Sequence, residues 1–431
     1  MKQDFKVIDY TERYKSIMQF NKNKNIPVHQ WYPFVEGYSK EFIQDIVNEL
    51  DYYPECVLEP FSGSGTTAVE MQNIGIKCIS FEVSPFMYML SKVKLSQDYK
   101  YDLFEKYLEN FKKEFVYPLP NIRQIEPIPF GDTVVKNEKL QKWNFNDEVM
   151  DGILDIKKVI KEIPNEKYRD LFSIALSSIL LEVSNLFRNG KCLSYKKNWF
   201  EKVKYRREDI HQVFIKKLEM VFKEDILMLN SKENPKINNS DFCYLGDVRK
   251  NLSLVEDCSI DLVITSPPYL NSRDYTDIYM LELKVLDLVK NFDELRLLRK
   301  ETIRSHVQVK YEELELLNYR SLIKTVSQIS EKADAYWNKG LLNMIKGYFL
   351  DMDILLSQIK KKMKPGKKAF INVANSAYYG LEVPVDLIIC EIAEKYNFKV
   401  IEIRKARDLK TSSQQSKLIK SLRESVIVLE S

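Results

Sequence analysis

The segment VLEPFSGSGTTAVE, Val57 to Glu70, decides the fold. An apolar run ends in an acidic residue and gives way to a turn holding Gly63 and Gly65, after which Thr66 and Thr67 open a helical pattern. Two of only 12 glycines sit in this turn, and a residue without a Cβ lets backbone approach a ligand closely. Thr66 and Thr67 suit a helix start whose amides face that ligand. The pattern reads as a nucleotide-like cofactor loop. It is not a Walker loop, because no Lys follows the second Gly, and by itself a Gly-x-Gly turn is weak evidence, since a plain tight strand-to-helix connection is the alternative. The next apolar run, CISFEVSP, ends in Glu82, and an acid about 20 residues after such a loop, at a strand's carboxyl end, can accept both ribose hydroxyls.

Working outward, short apolar runs bounded by turn residues predict seven strands: Cys56 to Leu58, Lys77 to Phe81, Phe242 to Leu245, Asp261 to Thr265, Lys368 to Val373, Lys399 to Ile403 and Ser425 to Leu429. Alternating with helical patterns, they predict an α/β, doubly wound, mostly parallel seven-stranded sheet. Residues 101–240 are dominated by helical patterns such as Tyr168 to Phe187 and Arg207 to Leu229, with a basic stretch from Lys191 to Arg207 between them. A second helical insertion, 291–359, separates the fourth and fifth strands and reads as a solvated mixed-charge surface. The expected organisation is a catalytic domain of 1–100 and 241–431 with both segments inserted into it.

Composition narrows the class. The 431 residues carry 66 Lys and Arg against 62 Asp and Glu, a net charge of +4, so any nucleic-acid contact has to be local. Six scattered cysteines without CxxC spacing and three histidines argue against a metal centre or a disulfide framework. No apolar run approaches a membrane span and the N-terminal stretch lacks a signal-like core, so a cytoplasmic protein is expected.

In GDVRKNLSLVEDCSIDLVITSPPYLNSRDY, Gly246 to Tyr275, a strand runs directly into Ser266-Pro267-Pro268-Tyr269. Two prolines hold the backbone extended and remove two amide donors, leaving carbonyls free to accept. The quartet offers a hydroxyl, carbonyl acceptors and an aromatic face, which suits a planar base bearing an amino group. A Pro-Pro turn with a packing tyrosine is the structural alternative.

Taken together, EPFSGSGTT and TSPPY resemble the amino-methylating DNA methyltransferases that use S-adenosyl-L-methionine. The resemblance covers about half the chain, roughly 25–95, 240–290 and 360–431. It implies a Rossmann-like class I methyltransferase fold. Glu59, Pro60 and the Phe61, Ser62, Gly63, Ser64, Gly65, Thr66 backbone would surround the methionine part of the cofactor, with Tyr32 and Pro33 of HQWYPFVEGYS closing over it. Glu82 and Val83 would hold the ribose, and Asp247 and Val248 the adenine. Some relatives have Asp at the ribose position, a change that keeps the carboxylate. SNLFRNGKCLSYKK, Ser184 to Lys197, also resembles a segment of this group.

On this resemblance Ser266, Pro267, Pro268 and Tyr269 are the catalytic residues, with Ser266 also touching the cofactor. Ser266 and the Pro267 carbonyl would accept the amine hydrogens and Tyr269 would stack on a base flipped from double-stranded DNA. Ser before Pro-Pro points to N4 of cytosine; N6 of adenine, or an RNA or protein substrate, are the alternatives. C5 methylation is disfavoured because no cysteine follows a proline. The loop-before-quartet order places target recognition within 101–240, where Lys196, Lys197, Lys202, Lys204 and Arg206 interleave with aromatic residues and are candidate phosphate contacts. A solvated helix face explains that run as well. Candidate partners are DNA and a cognate restriction endonuclease, within a restriction-modification or related defence system.

Overall fold

The computed structural model describes residues 5–116, 131–135, 141–189, 192–200, 205–231, 236–271, 274–332, 338–411 and 418–431. The described residues form twelve strands: β1 (Val7–Asp9), β2 (Cys56–Glu59), β3 (Lys77–Glu82), β4 (Leu186–Asn189), β5 (Cys192–Tyr195), β6 (Cys243–Leu245), β7 (Ile260–Thr265), β8 (Met363–Ala374), β9 (Ser376–Tyr378), β10 (Leu381–Val383), β11 (Lys399–Lys410) and β12 (Ser421–Glu430). Eight form the central sheet in the order β1-β11-β12-β8-β7-β2-β3-β6, and β4-β5 and β9-β10 are separate hairpins. Within the sheet β12 alone runs against the others.

All seven expected strands are present. The eighth, β1, corrects the count: three residues offer too little apolar patterning to be read, and β1 exists by pairing with β11 from Val7–Ile403 to Asp9–Lys405.

Period-two alternation divides the sheet between two cores. Val57, Leu262, Ile264, Phe370, Val426 and Val428 face one layer. Leu58, Val263, Ala369, Ile371, Ile427 and Leu429 face the other. The helices Tyr101–Glu114, Asp147–Lys161, Glu166–Val183 and Arg207–Lys217 share the first core, so these helices of the 101–240 insertion are packed onto the sheet layer.

Three helical expectations shift. The helix read as Tyr168 to Phe187 ends at Val183, because the Lys196 ammonium donates to the carbonyls of Leu181, Glu182 and Ser184 and the chain turns into the β4-β5 hairpin. The helix from Arg207 continues to Asn230 through a wider π-type turn at Leu218–Lys223. The stretch 291–359 is not one solvated unit. Phe292–Glu301 is mostly exposed, whereas Arg320–Ser330 and Leu341–Lys362 bury Leu322, Ile329, Ile345 and Phe349 in the second core, the latter helix as the β7-to-β8 crossover.

Strand order reverses at β2, whose neighbours are β3 and β7. A crevice opens at the carboxyl ends of strands at such a switch point. The segments following β2, β3, β6 and β7 all lead into it.

Asn239, just before β6, ties the first β-α-β unit together. Its side chain accepts from the Cys78 amide at 3.0 Å and donates to the carbonyls of Ala68 and Ile76 at 3.1 and 3.0 Å, all out of water. Asn239→Ala strands three buried backbone groups and is expected to cost about 2–4 kcal/mol in denaturant unfolding; a loss below about 0.5 kcal/mol would show that this junction carries no stability.

Candidate active site

The loop after β2 is held from both sides. The Ser62 amide donates to the Phe81 carbonyl at 2.8 Å, and the Gly65 amide to the Ser62 carbonyl at 2.9 Å. Gly63 and Gly65 have φ of +53° and +80°, in the left-handed region. A Cβ on Gly65 would lie 3.2 Å from the Ser91 backbone, and one on Gly63 would lie 3.1 Å from the Phe34 ring. The turn therefore requires glycine on grounds of both torsion and space. Below it, the wholly buried Lys94 donates to the Ser64 carbonyl at 3.1 Å, and burial drives its ammonium down to about 7.

Glu82, at the end of β3, accepts the Gly63 amide at 2.7 Å and the Ser84 amide at 2.8 Å. Burial pushes its carboxyl up to about 7 despite those donors. Gly246 follows β6 at φ +131° and donates to the Glu82 carbonyl. Asp247 next to it accepts the Arg249 amide and guanidinium through three bonds of 2.8–3.0 Å. Two carboxylate oxygens offer about four acceptor positions, so one remains for a ligand donor.

β2 and β7 pair in register through Val57–Leu262 and Leu58–Val263, which brings the loop and the quartet to the same end of the sheet. Glu59 locks them there. One of its oxygens accepts the Phe61 amide at 3.0 Å and the Thr265 hydroxyl at 2.7 Å; the other accepts the Tyr38 and Thr67 hydroxyls at 2.6 and 2.9 Å. Burial still pushes this carboxyl up to about 7.

One cavity joins these parts. Pro60, Phe61, Ser62, Gly63, Ser64, Thr66, Glu82, Val83, Asp247, Val248, Ser266, Pro267, Pro268 and Tyr269, each expected from sequence, all line it. Four expected cofactor residues do not: Tyr32, Pro33, Glu59 and Gly65 are absent from the lining. Tyr32 is buried, donating to Glu282 at 2.6 Å and accepting from Arg188 at 2.8 Å, while Arg188 also donates to the Pro33 carbonyl at 2.7 Å. The lining comes instead from Phe34 to Tyr38 of the same segment, with Phe34 stacked on Tyr279 at 6.1 Å between centroids. Arg188 belongs to the β4-β5 hairpin, so the segment SNLFRNGKCLSYKK braces the wall. His29 is not part of the lining; it packs in the core against Glu70 at 3.0 Å, and burial keeps its imidazole below the usual range.

Several lining residues were not read from sequence. Asn372, Arg407 and Glu424 come from β8, β11 and β12; the strands were legible, the inward side chains at their ends were not. Ser305 and His306 enter from the stretch after Phe292–Glu301, a non-helical segment inside an expected helix. Each is 1% exposed, and neither Ser305 Oγ nor His306 Nδ1 has a hydrogen-bond partner. Of the candidate phosphate contacts, Lys196 is spent on the helix end, Lys197 and Arg206 are exposed, and Lys202 and Lys204 lie outside the described residues. Among the described residues no His, Cys, Asp and Glu cluster is suited to a metal ion, and no helix is long and apolar enough to cross a membrane.

No protein-family profile matches the chain. It is similar to the Type II methyltransferase M.BsoBI of Geobacillus stearothermophilus, at 27% identity over 95% of this chain and 86% of that protein. Type II methyltransferase M.AvaI of a Nostoc species is 26% identical over 90% of this chain and 83% of its own length. Type II methyltransferase M.MvaI of Kocuria varians is 24% identical over 91% and 86%. The homologues are thus type II methyltransferases, in agreement with the methyltransferase part of the resemblance, and each match spans most of both chains.

The Glu59 junction is testable without any ligand. Glu59→Ala leaves three hydroxyls and an amide facing a dry gap and is expected to cost about 2–4 kcal/mol. Glu59→Gln keeps the bonds to Phe61 and Thr265 and should recover at least half of that loss in chemical unfolding. Equal losses would show that the carboxyl serves volume alone.

Proposed function

We propose that the chain is a site-specific DNA methyltransferase that transfers a methyl group from S-adenosyl-L-methionine to the exocyclic amine of a flipped base, with N4 of cytosine as the target. The observation that carries the reading is the convergence, in one cavity at the switch point, of a glycine loop, a strand-end carboxylate and a Ser-Pro-Pro-Tyr quartet. The relatives' activity supports the reaction class.

The residues fit the cofactor. Gly63, with no Cβ, leaves room beside Phe34, Glu82 presents a carboxylate already oriented by two amides, and Asp247 retains one acceptor position. Bound there, the cofactor supplies an electrophilic methyl on a sulfonium, whose carbon–sulfur pair returns to sulfur as a thioether.

The protein's part is to hold and dehydrate the amine. An aromatic amine is a weak nucleophile because its lone pair is shared with the ring. Ser266 Oγ and the Pro267 carbonyl, accepting its hydrogens, favour the pyramidal geometry in which that pair points at the methyl group. The new nitrogen–carbon bond leaves one surplus proton, which passes to water at the cavity mouth. No covalent enzyme intermediate is required. A serine here, in place of an acid or amide, supports cytosine. Lys197 and Arg206 are proposed to face phosphate, with double-stranded DNA as the partner and a cognate restriction endonuclease as its counterpart.

Mass spectrometry of nucleosides from DNA methylated by the protein tests the reading. N4-methylcytosine is expected; N6-methyladenine would keep the mechanism and overturn the base, and a methylated RNA or protein with unmodified DNA would overturn the substrate.

Cofactor affinity should also depend on pH. With the Glu82 carboxyl pushed up to about 7, the acceptor-only form that takes two hydroxyl donors is populated only as pH rises through that value. Calorimetric affinity is therefore expected to strengthen from pH 6 to 8 with proton release. Glu82→Gln should weaken binding and flatten the slope; an unchanged slope would remove Glu82 from the ribose site.

A further inference from the structure

Thr265 pairs with Ile371 in the β7-β8 register, so Ser266 and Asn372 follow side by side at the open end of the sheet. Asn372 is 3% exposed and lines the cavity. Its Nδ2 donates to Tyr269 Oη at 2.8 Å and to Ser266 Oγ at 3.3 Å, which uses both amide hydrogens. Its Oδ1 is buried and has no partner.

The direction of the amide follows from the network behind it. Glu424 accepts from the Arg407 guanidinium and from the Tyr269 hydroxyl, the latter at 2.5 Å. The tyrosine's single hydrogen is committed there, so its oxygen has to accept, and only the amide nitrogen of Asn372 can donate to it. The Ser266 hydroxyl donates to the main-chain carbonyl of Asn372 at 3.3 Å. Four residues from β8, β11, β12 and the quartet thus form one donor chain that ends in an unsatisfied acceptor beside Ser266. A buried carbonyl oxygen without a donor costs free energy unless a ligand supplies the hydrogen.

Resting on the reading of the site as an amine-methylating centre, we propose that Asn372 is a further residue of the transfer site: its Oδ1 accepts, together with Ser266 Oγ, one hydrogen of the target amine, and its Nδ2 holds the Ser266 hydroxyl and the Tyr269 ring in place beside the same ligand. The ligand class is a planar heterocycle carrying an exocyclic NH₂. The amine has two hydrogens, so Asn372 Oδ1 shares with Ser266 Oγ the one that the Pro267 carbonyl does not take. Arg407 and Glu424 fix it without touching the amine.

A purely structural role and a contact role separate in a double-mutant cycle. Single-turnover methyl transfer to duplex DNA is measured for the parent, Asn372→Ala, Ser266→Ala with Tyr269→Phe, and the triple variant, with cofactor affinity by calorimetry as the check on folding. Asn372→Ala is expected to slow transfer about ten-fold, the size of one hydrogen bond, with cofactor affinity within two-fold of the parent. The same substitution should still slow transfer several-fold in the background lacking both groups that Nδ2 holds. Loss of the effect in that background would mean that Asn372 only positions its neighbours and would overturn the inference, as would transfer by Asn372→Ala within two-fold of the parent. A parent that leaves every base amine unmethylated would overturn the underlying reading and this inference together, whereas an active parent with an indifferent variant overturns the inference alone.

Discussion

The site depends on one buried carboxyl. Glu59 ends β2 and is tied to the first amide of the glycine loop, to the threonine preceding the quartet, to the helix that follows the loop and to Tyr38 of the N-terminal wall. Four segments, the farthest 206 positions from Glu59 in sequence, meet on its two oxygens. Burial works against the ionised form of this group while its donors favour it, and burial prevails, holding the carboxyl at about 7. The arrangement persists because removing one member would leave the others unsatisfied out of water, which costs more than keeping the charge there. Glu59 accordingly acts on the cavity from behind, by fixing the spacing between its two functional edges.

The two halves of the sheet contribute differently. The parallel half, β6-β3-β2-β7, presents backbone amides and the carboxylates of Glu82 and Asp247 to the cavity. The other half, β8, β12 and β11, presents a wired polar wall in which Arg407, Glu424, Tyr269 and Asn372 constrain one another. That β12 runs against its neighbours matters here, because its N-terminal end, carrying Glu424, is thereby brought to the same edge as the carboxyl ends of the other strands. The inserted segments are not remote additions. The β4-β5 hairpin braces the wall through Arg188, and the stretch after Glu301 supplies Ser305 and His306 to the lining.

Much of this was legible in sequence, because the glycine loop, Glu82 and the quartet are contiguous motifs whose chemistry is local. The seven strands were legible from continuous apolar runs, the sign of strands buried on both faces. What escaped was set by long-range pairing. β1 has no pattern of its own and depends on β11; Asn372 and Glu424 look like ordinary strand ends until the register places them beside Ser266 and Tyr269. Tyr32 and Pro33 were expected in the lining because their segment was recognisable, but which of its residues face inward depends on Glu282 and Arg188, far away in the chain. Lys196 looked like a phosphate ligand for the same reason: nothing in a basic run reveals that a helix end consumes its ammonium.

The central claim, that one cavity holds both methyl donor and target amine, is tested most directly by a crystal structure of the protein with duplex DNA and a non-reactive sulfonium analogue. The account predicts the analogue's ribose on Glu82 and an extruded base whose amine nitrogen lies between Ser266 Oγ and the Pro267 carbonyl, about 3–3.5 Å from the position of the methyl group. A base left stacked in the duplex, or an analogue bound away from the Phe61–Thr66 turn, would contradict it.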